Sequence, residues 1–394
     1  MASRTATLGA LLVAASVLLA GCTAPQPAPP GVPIGLEPPA NIDPVIHYAD
    51  DRLASMSLED KVRSLFMVHL AGTDATSLAD FASGAGAGGV ILMGDNVPDP
   101  SDRLAAMTPV IAGEAALPRL IAIDQEGGIV RRIRTDKALS AEQLRGLDPS
   151  AARDAFATRA DLLASLGITV NFGIVADVTG DPASFIYERS MGSTGADAAN
   201  RVAEAVDGEL GTVLSTLKHF PGHGVATGDS HSSIPTASIS LDAWRADHEK
   251  PFAAGIDAGA ELVMLGHLQF DAIDPEPATF SAFWNDILRD ELGFDGVIIT
   301  DDMVMLQNSG VPEYADASAN AVRAIAAGAT MLLYVGPVDV TAVTAAIVAA
   351  VDAGTITEAQ IDDAAHRLLV MRRTLSGQTG PFVHCGDLCR AALS

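Results

Sequence analysis

The feature that most narrows the fold is a series of eight short apolar runs separated by longer Ala-rich segments. They are LFMVHLAG (65–72), GGVILMGD (88–95), RLIAIDQEGG (119–128), ITVNFGIVAD (168–177), VLSTLKHFPG (213–222), ELVMLGHL (261–268), GVIITDD (296–302) and ATMLLYVG (329–336). Most are continuously apolar rather than alternating, as parallel strands covered on both faces must be. The segments between them, such as SAEQLRGLDPSAARDAFATRADLLASLG and ADAANRVAEAVDGELG, are amphipathic with helical periodicity. Ser57 before LEDKV and Thr357 before EAQIDDAAHRLLVMRR are expected helix caps. Strands alternating with helices predict an α/β chain whose single catalytic domain, over residues 46–375, is a (β/α)8 TIM-type barrel. An open doubly wound sheet is the alternative. Polar placement favours the barrel. Asp124 ends the third run, Lys218 and His219 the fifth, His267 the sixth, and Asp301 and Asp302 the seventh. A barrel brings the ends of different strands to one mouth, whereas an open sheet serves one crevice.

The flanks read differently. Arg4 precedes the apolar run ALLVAASVLLA (10–20), which ends in LAGC at Cys22. The run is too short to span a bilayer. The whole pattern resembles a bacterial lipoprotein signal over residues 1–21. That resemblance implies lipidation of Cys22 and an extracytoplasmic protein anchored to the cell membrane. Residues 22–45 form a Pro-rich linker, with eight prolines between 23 and 44. The tail, 376–394, holds Cys385 and Cys389, which outside the cytoplasm are placed for a disulfide, with two free thiols as the alternative. The formal net charge of −25 argues against a nucleic-acid partner. A monomer is expected.

Four stretches could carry chemistry. VIITDDMVM runs a strand straight into Asp301 and Asp302; one carboxylate suits a cap and leaves the other for catalysis. In IDQEGGIVRR, alternation places Asp124 toward the pocket and Glu126 away, with one of Arg131 and Arg132 pairing with Glu126 and the other free to hold a polar ligand. IYERSMG offers Arg189 from a loop after the fourth strand. KHFPGHGVATGDSH holds three histidines, but Pro221 and Gly222 prevent the helix that a His-x-x-x-His metal pair requires. No metal and no cofactor are expected. Asp229 and His231 can meet across an extended loop, where the carboxylate fixes the imidazole tautomer and makes it a general acid/base. His223 has no expected chemistry beyond a structural hydrogen bond in the loop.

Together, IDQEGGIVRR, ERSMG, LKHFPGHGVATGDSH, PATFS (277–281) and ELGFDGVIITDDMVM resemble glycoside hydrolase family 3, specifically its NagZ-type β-N-acetylhexosaminidases. The resemblance covers about residues 58–373 and implies a (β/α)8 barrel in the single-domain form. It implies that Asp301 is the nucleophile, His231 the general acid/base and Asp229 its partner. Asp124, Arg132, Arg189, Lys218 and His219 would hold N-acetylglucosamine, and Asp302 would have no chemical role. One departure is Ile129, where the family frequently has Arg. The implied reaction is retaining hydrolysis of terminal GlcNAc from peptidoglycan-derived GlcNAc–MurNAc fragments, in cell-wall recycling. Phosphorolysis to GlcNAc 1-phosphate is the alternative, because a neutral histidine base does not repel phosphate.

Overall fold

The computed structural model describes residues 43–383 except 229 and 231. The expected signal segment, Cys22, most of the expected linker and the Cys385/Cys389 pair lie outside the described residues. The first helix, Pro44–Ala54, begins two residues before the domain boundary read from the sequence, because Asp43 caps it and Pro44 suits its first turn. No described helix is long and apolar enough to cross a membrane.

Eight parallel strands form one sheet: β1 (Phe66–Val68), β2 (Gly89–Leu92), β3 (Leu120–Ile123), β4 (Val170–Val175), β5 (Leu214–Phe220), β6 (Leu262–Leu265), β7 (Val297–Thr300) and β8 (Leu332–Tyr334). Each lies inside one of the eight apolar runs. Their spatial order is β7-β6-β5-β4-β3-β2-β1-β8. A parallel bridge between Ile299 and Met331 joins the two edge strands, with Thr300 N–H donating to Met331 O at 3.0 Å. The sheet is thus nearly closed into the expected barrel, and the open-sheet alternative falls.

Both faces of the strands are apolar for a geometric reason. Successive side chains point to opposite faces. Leu120, Ala122, Val170, Phe172, Leu262, Met264, Val297 and Ile299 share one core cluster, whereas their neighbours Ile121, Ile123, Val263, Leu265 and Ile298 pack in clusters under the helices. The expected caps are in place. Ser57 and Thr357 each form a reciprocal capping box, with Asp60 and Gln360, a device that contributes about 1 kcal/mol. One expected helical segment is broken in two. Residues 140–167 contain helices Ala141–Leu144 and Ser150–Ser165, separated around Gly146 and Pro149, whose ring cannot continue the first helix.

Candidate active site

The carboxyl ends of the strands surround a cavity of about 370 Å³. Asp124, Arg132, Arg189, Lys218, His219 and Asp301 all line it, with apolar walls from Ile91, Met264, Met305 and Leu333. Thus six side chains singled out from separate stretches meet at one mouth. Asp229 and His231 lie outside the described residues; Ser230, between them, lines the same cavity.

Lys218 is the hub. Its side chain is 2% exposed, and its Nζ donates to Asp124 Oδ1 at 2.9 Å and Glu126 Oε1 at 2.7 Å. Arg132 donates to Asp124 Oδ2 at 3.1 Å. Burial alone would raise the Asp124 pKa, but Lys218 and then Arg132 outweigh it and hold this carboxyl down at about 2. Arg189 grips Glu126 with a fork, Nε to Oε2 at 2.8 Å and Nη2 to Oε1 at 2.7 Å.

Glu126 therefore belongs to the site, against the expectation from alternation. The reason is that the barrel strand ends at Ile123. Gln125–Gly127 instead pairs with Val130–Arg131 in a separate antiparallel ribbon, with an irregular register at Gln125/Gly127. Alternation counted along β3 no longer applies there. Neither Arg131 nor Arg132 pairs with Glu126; Arg131 points instead toward the Asp136 carbonyl. Gly127 turns the ribbon at φ +86°, and a Cβ there would lie 2.4 Å from Arg159 Nη2.

A second unforeseen residue is Asp177, which follows β4 and is fully buried. It accepts from His219 Nδ1 at 2.8 Å and from the backbone N–H of His223 at 2.5 Å. It so ties together both ends of the HFPGH turn. Arg189 Nη2 stands 3.4 Å from the other ring nitrogen, His219 Nε2. Because a guanidinium only donates, Nε2 carries the lone pair and Nδ1 the proton. Burial, then the Arg189 charge, push His219 well below its usual pKa, so the ring is neutral. Asp177 ends an apolar run just before polar sequence, as Asp124 and Asp301 do, and that signal could have revealed it. Among the described residues the His223 side chain has no hydrogen-bond partner at either ring nitrogen, and the ring packs edge-on against Phe185 at 4.5 Å between centroids. The loop hydrogen bond comes from its backbone instead.

The adjacent carboxylates divide their work. Asp302 caps the helix Met303–Asn308, accepting from Val304 N–H at 3.1 Å and Val335 N–H at 2.9 Å. Asp301 points into the cavity and accepts from Asp302 N–H at 2.8 Å. Burial would raise its pKa, but that N–H and the Lys218 charge help to hold it below the ordinary value. An ionised, poorly solvated carboxylate facing a cavity is suited to nucleophilic attack. His267 supports the turn from behind: Nε2–H donates to Asp302 O at 2.9 Å, and Nδ1 accepts from Thr279 Oγ1 at 2.7 Å.

Beneath the ribbon runs a polar scaffold. Asn171 on β4 exchanges two hydrogen bonds with the Gln125 backbone, both at 3.2 Å. The Gln125 side chain accepts from Arg132 and Ile133 N–H, both at 2.9 Å. Asn171 Nδ2 also donates to Glu209 Oε1 at 2.5 Å, and Ser215 lies beside the same carboxyl. Burial lifts the Glu209 pKa to about 8, from 4.5. The folded chain therefore keeps a proton that the unfolded chain releases, and stability falls as pH rises from 4.5 toward 8. Glu209→Gln, which is neutral throughout, should remove on the order of a few kcal/mol of that fall. Urea unfolding at pH 5 and pH 8 checks this; an identical decline in both proteins would show that Glu209 does not hold a proton.

Residues 57–371 match the model of the "Glycosyl hydrolase family 3 N terminal domain". A protein named beta-hexosaminidase from Idiomarina loihiensis is 34% identical over 278 residues, covering 68% of this chain and 82% of its own length. Among solved structures, a family 3 β-N-acetylglucosaminidase from a Paenibacillus strain superposes with a TM-score of 0.75 at 31% identity, over 84% of this chain. The match spans only 65% of that longer enzyme. M. tuberculosis LpqI superposes with a TM-score of 0.73 at 29% identity, covering 87% of this chain and 98% of the other. The fold, the strand-end cavity and these matches agree: the chain belongs to glycoside hydrolase family 3.

Proposed function

We propose that this glycoside hydrolase is a retaining exo-β-N-acetylglucosaminidase. The observation that carries the reading is the placement of Asp301, ionised, in a cavity also lined by Asp124, Arg132, Arg189, Lys218 and His219. A volume of about 370 Å³ suits one pyranose ring with its substituent rather than a long chain. The charged cluster offers hydrogen bonds to ring hydroxyls from both donors and acceptors. Asp301 attacks the anomeric carbon and forms a glycosyl ester. His231, oriented by Asp229, protonates the leaving oxygen and, once neutral, takes a proton from the water that cleaves the ester. This dyad stands in for the second carboxylic acid of an ordinary retaining glycosidase. The β-hexosaminidase relatives support water rather than phosphate as the acceptor.

The natural substrate in this reading is a GlcNAc–MurNAc fragment of peptidoglycan, met outside the cytoplasm by an enzyme anchored through Cys22. The leader-like sequence supports that location. The test is mass spectrometry of products from a purified muropeptide mixture, with and without phosphate. Free GlcNAc is expected in both. A dominant sugar 1-phosphate would replace hydrolysis by phosphorolysis, and no release from muropeptides or a chromogenic β-GlcNAc substrate would overturn the reading.

A further inference from the structure

At the opposite end of the barrel lies a larger cavity, of about 730 Å³. Ser64, Ala87 and Arg119, just before β1, β2 and β3, mark it as the face away from the active site. Four guanidinium groups line it: Arg52, Arg63, Arg119 and Arg372. Among the described residues only two carboxylates do, Asp60 and Glu114. Asp60 is already committed to its helix cap, accepting from Ser57 Oγ at 2.7 Å. Glu114 approaches Arg52 no closer than 3.9 Å. Arg63 is matched outside the cavity by Glu59, at 2.8 Å.

Arg119 and Arg372 have no carboxylate within 4.0 Å among the described residues. Arg119 donates to Ile111 O at 3.1 Å and Ser83 Oγ at 2.8 Å. Arg372 donates to Pro118 O at 2.9 Å and Leu117 O at 2.7 Å. Both are half-buried. Burial, then repulsion by Arg119, lower Arg372 to about 10. A neutral donor such as Gln could hold those carbonyls without placing two guanidinium charges together, which costs free energy that the more distant Glu114 offsets only in part. The concentration of positive charge is also local, in a chain whose formal net charge is −25.

We propose that this basal cavity binds a phosphate group. Phosphate presents several charged oxygens in a tetrahedron and can accept from more than one guanidinium fork at once. Two sources share that chemistry, a phospholipid headgroup and a soluble phosphate ester. The helix Pro44–Ala54 contributes Tyr48 and Arg52 to the wall and directly follows the Pro-rich segment.

The test uses the full chain with Cys22→Ala, so that no acyl group contributes, compared with the same chain carrying Arg119→Gln and Arg372→Gln. In one arm, inorganic phosphate is titrated at fixed ionic strength by calorimetry, with chloride as control. In the other, flotation is measured with phosphatidylcholine vesicles with and without phosphatidylglycerol. The leader is common to both proteins, so any difference reports the arginines. Saturable phosphate binding should weaken at least tenfold in the variant, with hydrolysis of a chromogenic β-GlcNAc substrate unchanged. Loss of phosphatidylglycerol-dependent flotation as well identifies the headgroup as the source; a response to phosphate alone identifies a soluble ester. No binding, or binding equal in both proteins, overturns the proposal. Should the double variant fail to fold, Arg52→Gln with Arg63→Gln at the rim gives the same readings.

Discussion

Asp301→Ala should lower kcat/KM by at least about a thousandfold, because the variant has no group to form the glycosyl ester. The fold should tolerate the change. Among the described residues the carboxylate accepts one N–H, that of the adjacent Asp302, and it is held ionised in a poorly solvated position. Its depressed pKa shows that the site favours the charge, so the variant should lose a modest part of its stability and keep its fold. The vacated face also offers a positive test. Azide should enter there, restore part of the turnover, and yield a glycosyl azide with inverted anomeric configuration. Steady-state kinetics and product NMR read both effects. Activity within tenfold of the parent enzyme would show that Asp301 is not the nucleophile.

Lys218→Met should damage both stability and turnover. Met approximates the length of lysine but leaves Asp124 and Glu126, which share the Lys218 ammonium at 2.9 and 2.7 Å, with less positive charge in a buried site. Breaking one side of a buried ion cluster typically costs about 3–5 kcal/mol. The pH dependence has a definite sign. Asp124 has a depressed folded pKa, so its contribution is present above its ordinary value of 3.8 and is lost as pH falls toward about 2. In the variant Asp124 titrates higher, and this acid-side loss shrinks. Urea unfolding at pH 7 and pH 3 tests both statements. A variant as stable as the parent at pH 7 would mean that Arg132 and Arg189 alone suffice for the two carboxylates.

Much of the architecture was legible because parallel strands covered on both faces must be apolar throughout. Each of the eight runs holds a strand, and the caps at Ser57 and Thr357 are local interactions within four residues. Six of the proposed site residues were legible because each ends a strand or lies in the loop that follows one, and the barrel brings those ends and loops together. Glu126 was misplaced because periodicity holds only while the chain stays in the strand, and it leaves at Ile123. Asp177 was missed because its meaning depends on partners 42 and 46 residues away.

The sequence by itself determined the strand count, the helix starts after Ser57 and Thr357 and the polar residues available at each strand end, since these depend on neighbours along the chain. Only the tertiary structure decided which of those residues share charge. Lys218 lies 94 residues from Asp124, yet their side chains meet at 2.9 Å. The same closure gathered Arg52, Arg63, Arg119 and Arg372 beneath the barrel. No local pattern encodes either cluster, because charges interact through space and chain order does not record distance.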